Sequence, residues 1–257
     1  MSRTSRVSPL DLRSSVVFSA DVYIDRFNMA FMTETSEEMR ANQWFCSLPA
    51  AEQEALIQRS ELIALQPGEF LFRRGDTPSG FYGLKDGRLK AFTLREDGKE
   101  AILAVIEAGN WFGQTSMTGR HPRPRDVVAI ERSTVFVVRT PAFDELMQSQ
   151  AFLRAIAELQ SIHMNWLYRI IEDATLHSTR ARVARRLLLL ASGDVTMWPQ
   201  SRQNVSVSQD TLAMMLGITR QTLSLELKAL AEKGAIALRY GRIEICSKDV
   251  LASCQDS

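Results

Sequence analysis

The sequence is poor in the residue types that build disulfide-stapled and metal-bearing proteins. Three cysteines, Cys46, Cys246 and Cys254, and three histidines, His121, His163 and His177, are scattered over 257 residues. An odd, widely spread set of thiols argues against a disulfide framework or a clustered metal site and fits a reducing compartment. Long apolar runs are also missing. The longest purely apolar stretch is the six residues Ala101–Ile106, against the roughly 20 residues that a membrane-spanning helix needs. The N-terminus has no compact apolar segment ending in a small-residue cleavage site, so a secretory signal is not expected and a cytoplasmic location is. No paired carboxylates, Ser/His/Asp set or metal-ligand constellation can be assembled. The expectation is therefore a non-enzyme without cofactor.

What is present is ordinary in bulk and uneven in distribution. Hydrophobic residues make up 45% and charged residues 24%, the balance of a globular protein with room for two modest domains. The net charge of +1 hides a division. From Ser178 onward there are 11 Lys+Arg against 7 Asp+Glu, a net of +4, and the first 177 residues carry 20 against 23, a net of −3. A basic C-terminal third on an acidic remainder suggests a nucleic-acid module joined to something else.

Four regions follow along the chain. Residues 1–40 mix charge with Ser and Thr, show no sustained period, and are expected to be a loosely ordered extension. Residues 41–148 open with a short helix at Ala50–Arg59 behind Pro49 and then become β-rich. Glycine turns recur at Pro67-Gly68, Gly75, Gly87, Gly98 and Gly109, the punctuation of an antiparallel barrel or sandwich. Asp97-Gly98 between Leu89–Leu94 and Ala101–Ile106 is a hairpin signal, and Ile102, Ala104 and Ile106 alternate toward one face. Residues 149–177 read as one long helix. Phe152, Ile156, Leu159, His163, Trp166 and Ile170 recur at four-three spacing like a coiled-coil seam, and Leu153, Ala157, Met164, Leu167 and Ile171 form a second, adjacent stripe. A helix this widely apolar must be covered on two sides. The first seam is assigned to the same helix of a second chain.

Residues 178–257 carry the sharpest pattern. Ser208 to Gly217 reads as a helix capped by Ser208, with Asp210 in its first turn and Gly217 as a left-handed stop. Ile218 follows, and Thr219 caps a second helix from Arg220 to Lys233. A linker of about three residues between two helices is the spacing of a helix-turn-helix. Leu223, Leu227 and Leu230 share the inner face of the second helix. Gln221, Leu225 and Lys228 share the outer one, flanked by Arg220, Thr222 and Ser224, as a major-groove recognition helix requires. Ile236–Leu238 and Ile243–Ile245 form a hairpin around Arg239-Tyr240-Gly241-Arg242, a basic wing.

These features together resemble the CRP/FNR family of transcriptional regulators over roughly residues 44 to 250. The resemblance rests on Pro67-Gly-Glu, Arg74-Gly-Asp, Asn110-Trp-Phe-Gly113, Arg182-Val-Ala and Thr219-Arg-Gln-Thr-Leu-Ser224. It implies an α+β chain: an N-terminal double-stranded β-helix or β-roll, a long dimerisation helix and a C-terminal winged helix-turn-helix. It also implies a homodimer on double-stranded DNA and, for an activator, contact with RNA polymerase. Arg220 matches the family's guanine-reading arginine, and its planar fork suits guanine O6 and N7. Gln221 stands where glutamate is common and suits adenine, while Leu225 cannot donate and at best meets a thymine methyl. Lys228, Arg239 and Arg242 are cast as phosphate contacts, with Arg182 and its neighbours Arg180, Arg185 and Arg186 either joining them or forming a solvated helix face.

For the sensor, the resemblance points to a pocket at Gly113, Gln114, Arg125 and Asp126. Cyclic-nucleotide binders of the family have glutamate in place of Gln114 and a hydroxyl residue in place of Asp126, and their adenine-reading pair falls near Leu167-Tyr168. The expectation is that cyclic AMP binding is lost and that the effector is another small molecule or none. The alternative is a cyclic-nucleotide-responsive regulator that keeps its pocket. The basic loop Gly119–Arg125 reads as a solvated turn or as a site for a different phosphorylated ligand, and His163 as a satisfied core histidine.

Overall fold

A computed structural model describes residues 35–98, 100–193 and 202–254. Most of the extension expected over residues 1–40 lies outside the described residues. Its last stretch is not loose. Ser36 caps α1 (Glu37–Ala41) by accepting from Met39 N, and Asn42 caps α2 (Gln43–Ser47) by accepting from Phe45 N. Met39, Trp44 and Phe45 are buried, and burying three large side chains is what holds these short helices on the domain. Helix α3 (Ala50–Gln58) follows Pro49.

Eight strands come next: β1 (Ser60–Leu65), β2 (Phe70–Phe72), β3 (Gly80–Asp86), β4 (Arg88–Leu94), β5 (Glu100–Glu107), β6 (Trp111–Phe112), β7 (Asp126–Ala129) and β8 (Ser133–Arg139), with the short helix α4 (Gln114–Gly119) after β6. They pair antiparallel in two four-stranded sheets, β1-β8-β3-β6 and β2-β7-β4-β5. Tyr82, Leu84, Val135 and Val137 of one sheet meet Leu89, Ala91, Ala104 and Val127 of the other in a shared core. The Asp97-Gly98 turn forms as expected, with Gly98 at φ +81° and its N–H bonded to Arg95 O.

The expected alternation in β5 is broken. A bulge shifts the β4–β5 register so that Ala91 faces Ala104 but Phe92 faces Ile102. The extra residue, Leu103, sends Ile102 to the opposite side from Ala104 and Ile106. Behind the other sheet, Trp44, Phe45, Phe81, Trp111, Phe136, Phe143 and Phe152 make a continuous ring-on-ring cluster. Gly83 is required there, because a Cβ at that position would sit 2.9 Å from the Trp111 ring.

Helix α5 (Thr140–Leu146) leads into α6 (Gln150–Leu176), which Ser149 caps. The seam assigned to a partner chain is instead turned inward. Phe152, Ile156, Leu159 and Trp166 are buried, Trp166 and Ile170 join the core between the sheets, and His163 bonds to Gln114. Trp44 Nε1 donates to Ala155 O at 2.6 Å on the same side. The exposed side is the second stripe, with Leu153, Met164, Leu167 and Ile171 open to solvent and Ile171 58% exposed. Both stripes have coiled-coil spacing, and spacing alone cannot say which one the β-roll covers.

A break at His177 separates α6 from α7 (Thr179–Ala191), which Ser178 caps. The C-terminal part comprises β9 (Asn204–Val205), α8 (Gln209–Leu216), α9 (Arg220–Glu232), β10 (Ile236–Arg239), β11 (Arg242–Ile245) and α10 (Lys248–Ser253). Its core is built by Leu187 and Val183 of α7, Leu212 of α8, Leu223, Leu227 and Leu230 of α9, and Ile236, Ile243 and Ile245 of the sheet β10-β11-β9. This part also rests on the β-roll. Met214 and Met215 of α8 pack on Phe92, Ile102 and Val128, while Arg88 Nη1 donates to Ser206 O at 2.6 Å and Arg202 pairs with Glu107 at 2.7 Å. No helix of the described residues is long and apolar enough to cross a membrane.

Candidate functional site

The two C-terminal helices meet as their caps dictate. Ser208 Oγ accepts from Thr211 N, Gly217 ends α8 at φ +66°, and Thr219 Oγ1 accepts from Thr222 N to start α9. Leu223, Leu227 and Leu230 are fully buried, so the opposite face of α9 is held outward. Thr219, Arg220, Gln221, Leu225 and Lys228 are exposed on it, with Thr222 and Ser224 half-buried between them. Arg220 leans on Asp210 at 3.3 Å, a solvent-exposed pair that a stronger partner displaces at little cost. The hairpin β10–β11 turns at Tyr240-Gly241, with Gly241 at φ +70°. Arg239 pairs with Glu244 at 2.9 Å, and Arg242 is exposed. An exposed polar and basic helix face beside a basic wing is the surface that enters a DNA groove and grips its backbone.

The arginines of α7 do not belong to that surface. Arg182 Nη2 donates to Leu216 O at 2.5 Å and closes the C-terminal end of α8. Arg180 pairs with Glu226, Arg185 pairs with Asp173 across the α6–α7 break, and Arg186 is buried 5.7 Å from the Trp166 ring centre. Their guanidinium groups are engaged within the fold, so neither the phosphate role nor the solvated-face reading describes them. In sequence they look like a basic run. The carboxylates that absorb them lie 12 to 46 positions away.

A second site lies in the β-roll. A cavity of about 190 Å³ opens between β4, β5, β7, the β6–α4 turn and α6. Gly113, Gln114 and Arg125 line it, as the sequence predicts. Asp126 does not; its carboxylate turns away and accepts from Arg74 N at 3.0 Å, capping a neighbouring turn. Leu167 borders the cavity and Tyr168 does not. Most of the wall is apolar, from Phe72, Ala91, Ala104, Ile106, Phe112 and Val127. Gln114 is buried with its Nε2 2.7 Å from His163 Nδ1. Burial, and secondarily the Arg125 charge, lowers the His163 pKa from 6.5 to about 4, so the ring is neutral at physiological pH. Burial also pushes the Arg125 guanidinium below its ordinary value.

The basic loop before β7 dissolves into separate roles. Arg120 Nη2 donates to both oxygens of Asp144 at 2.6 Å. Arg123 is buried, donates to Gly113 O and Gly80 O, and stacks over Phe72 at 4.4 Å. Only Arg125 of the three faces the open cavity without a bonded partner among the described residues. The seat of α8 on the β-roll has no signal in the local sequence beyond the adjacent Met214 and Met215.

Comparison with known proteins matches the two regions that carry these sites. The family model of the cyclic nucleotide-binding domain matches residues 62–150, and that of the Crp-like helix-turn-helix domain matches residues 181–254. The chain is 24% identical over 208 residues to the cyclic AMP receptor protein of Thermus thermophilus, covering 80% of this chain and 94% of that protein. It is 28% identical over 208 residues to the nitrogen fixation regulation protein FixK of Bradyrhizobium diazoefficiens, covering 77% of this chain and 84% of the relative. The solved structure of FixK2 from Bradyrhizobium japonicum shares the fold, with a TM-score of 0.66 at 16% identity over 76% of this chain and 96% of that one. A cyclic-nucleotide-binding-type β-roll, a long connecting helix and a Crp-like DNA-binding domain in one chain place this protein in the CRP/FNR family of DNA-binding transcriptional regulators.

Proposed function

We propose that the protein acts in the cytoplasm as a homodimer on a two-fold related DNA site, with an effector other than cyclic AMP or none. Residues 41–148 serve as the sensor, 149–177 as the dimerisation helix and 178–257 as the DNA-binding domain. The carrying observation is the exposed stripe of α6. Leu153, Ala157, Gln160, Met164, Leu167, Ile171 and Ala174 repeat at strict four-three spacing, and all but the half-buried Gln160 are exposed. An apolar row of this length on a surface calls for a partner, and its period suits a two-stranded coiled coil. Phe152, Ile156, Leu159, His163, Trp166 and Ile170 are committed to the protomer's own core and cannot serve.

Arg220 and Gln221 read base edges, Thr219, Thr222 and Ser224 position the helix, Leu225 offers an apolar contact, and Lys228, Arg239 and Arg242 hold phosphates. A dimer of such modules reads half-sites about 10 base pairs apart. Contact with RNA polymerase follows if the protein activates. Against cyclic AMP stand the apolar cavity wall, the absence of a carboxylate at Gln114 and the apolar Leu167. Asp126, which faces away, plays no part.

Gel-shift titration of genomic fragments tests the DNA reading. Arg220→Ala is expected to cost about 1–3 kcal/mol at a specific site and relax preference at one base position. Lys228→Ala weakens all sequences and lowers the salt slope by about one. An Arg220→Ala protein that keeps both affinity and base preference overturns the assignment of α9. Calorimetry with cyclic AMP tests the effector reading, and low-micromolar binding overturns it.

A further inference from the structure

The β-roll cavity combines three features. Its wall is apolar on most sides, with Ala91, Ala104, Ile106, Phe112 and Val127 contributing no polar side-chain atom. One full cation, Arg125, faces the space without a hydrogen-bond or ion-pair partner among the described residues. One amide, Gln114, is 1% exposed and has its Oε1 buried and unbonded. At the rim Thr115 donates to Gln160 and Gln160 donates to Thr118, while the lining also holds Ser116, and Trp111 Nε1 and Arg123 Nε are buried donors without a hydrogen-bond partner among the described residues. The cavity thus offers a guest one unpaired positive charge, a buried amide and a mostly apolar lining.

We infer that the cavity binds a small amphipathic monocarboxylic acid, its carboxylate on Arg125 and its apolar body against the β4–β5–β7 wall. This rests on the reading of the cavity as a ligand pocket that has lost cyclic AMP. A carboxylate matches the fork of a guanidinium with two parallel bonds. A nucleotide would bring ribose hydroxyls and base amines against the alanines and phenylalanines, where nothing accepts them. Inorganic phosphate would satisfy the charge and leave the apolar wall uncovered. The amide of Gln114 adapts to an acid by turning over, so that Oε1 accepts from His163 Nδ1–H and Nε2 donates to the guest. Exchange of amide O and N leaves the side-chain outline unchanged. On the scale of roughly 10–15 Å³ for each water-sized position, a cavity of about 190 Å³ has room for a ring or a medium-length chain.

The cavity wall contains Trp111 and Trp166, so binding to the full-length protein is readable by tryptophan fluorescence and by calorimetry. The probes are octanoate, decanoate, phenylbutyrate and naphthoate, each paired with the alcohol of the same carbon skeleton, together with cyclic AMP and inorganic phosphate. At least one acid is expected to bind about tenfold or more tightly than its alcohol, a gap of about 1.4 kcal/mol, and more tightly than cyclic AMP or phosphate. Arg125→Gln is expected to erase the acid–alcohol gap while leaving the alcohol's affinity within about twofold. The comparison on the unsubstituted protein stands even if that variant does not fold. Equal binding of acid and alcohol, tighter binding of cyclic AMP, or no binding by any of the acids each overturns the inference. A gel-shift arm separates it from the regulatory reading: an acid that binds without altering DNA affinity supports the ligand site and overturns its role as the effector pocket.

Discussion

His163 is a buried imidazole held neutral by its surroundings, and that state carries a pH signature. Its pKa is about 4 in the fold and near 6.5 when the chain is unfolded. Above pH 6.5 the ring is neutral in both states and contributes nothing to the pH dependence. Between about 6.5 and 4 the unfolded chain takes up a proton that the folded chain refuses, so stability falls as pH falls, by about 1.4 kcal/mol per unit at most. Urea unfolding from pH 7 to pH 4.5 is expected to show this loss, and His163→Gln, which keeps a polar neighbour for Gln114 without a titrating ring, is expected to flatten it. An unchanged slope in the variant assigns the acid sensitivity elsewhere. Arg182 carries a different expectation. Since it closes the end of α8 rather than facing solvent, Arg182→Ala should lower unfolding stability by about 1.5 kcal/mol. The salt slope of DNA binding should stay as it was. A reduced slope with unchanged stability would restore it to the phosphate-binding set.

Among the elements, α6 divides its two stripes between tasks that substitution can separate. Ile171→Glu places a charge on the exposed stripe and is expected to give a folded monomer that loses specific DNA binding. Phe152→Ala empties a fully buried position against Phe143 and is expected to cost about 3–5 kcal/mol of stability. Light scattering and thermal melting distinguish the two outcomes, and a dimer that survives Ile171→Glu refutes the stripe. The elements themselves were largely legible before the structure. Asp97-Gly98 marked the β4–β5 hairpin, Ser208, Gly217 and Thr219 marked both ends of the helix-turn-helix, and Leu223, Leu227 and Leu230 fixed which way α9 faces. These are local signals, each completed within a few residues. What could not be read depended on distant partners: which stripe of α6 meets Trp44 and the sheets, that Glu226 and Asp173 absorb arginines of α7, and that Arg74 N claims the Asp126 carboxylate. The bulge at Leu103 was hidden for a related reason, since strict alternation of Ile102, Ala104 and Ile106 reads as one face unless the partner strand's register is known.

On the scale of the whole molecule, the DNA-facing part is tied to the β-roll twice. One tie runs through α6 and α7, braced by the Arg185–Asp173 pair at 2.5 Å. The other is the seat of Met214 and Met215 on Phe92, Ile102 and Val128. The ion pairs around the seat are partly exposed and contribute little, so its apolar patch carries the attachment. Phe92→Asp is expected to free the C-terminal part while both halves stay folded, seen as a larger radius of gyration in solution scattering. A scattering curve unchanged by the substitution would show that the connecting helices alone fix the arrangement. The seat also shares its sheet with the cavity. Ala91 lines the cavity and Phe92, next in the chain, holds α8; Val127 and Val128 divide in the same way, and Ala104 and Ile102 do so across the bulge. A single layer of strands is therefore the whole thickness between the cavity and the base of the helix-turn-helix. The guest proposed for the cavity would press on such a wall as on a diaphragm, pressure on one side becoming displacement on the other. The two alanines are its thinnest points, and a guest that bulges there needs no hinge or relay of polar groups to be felt at α8.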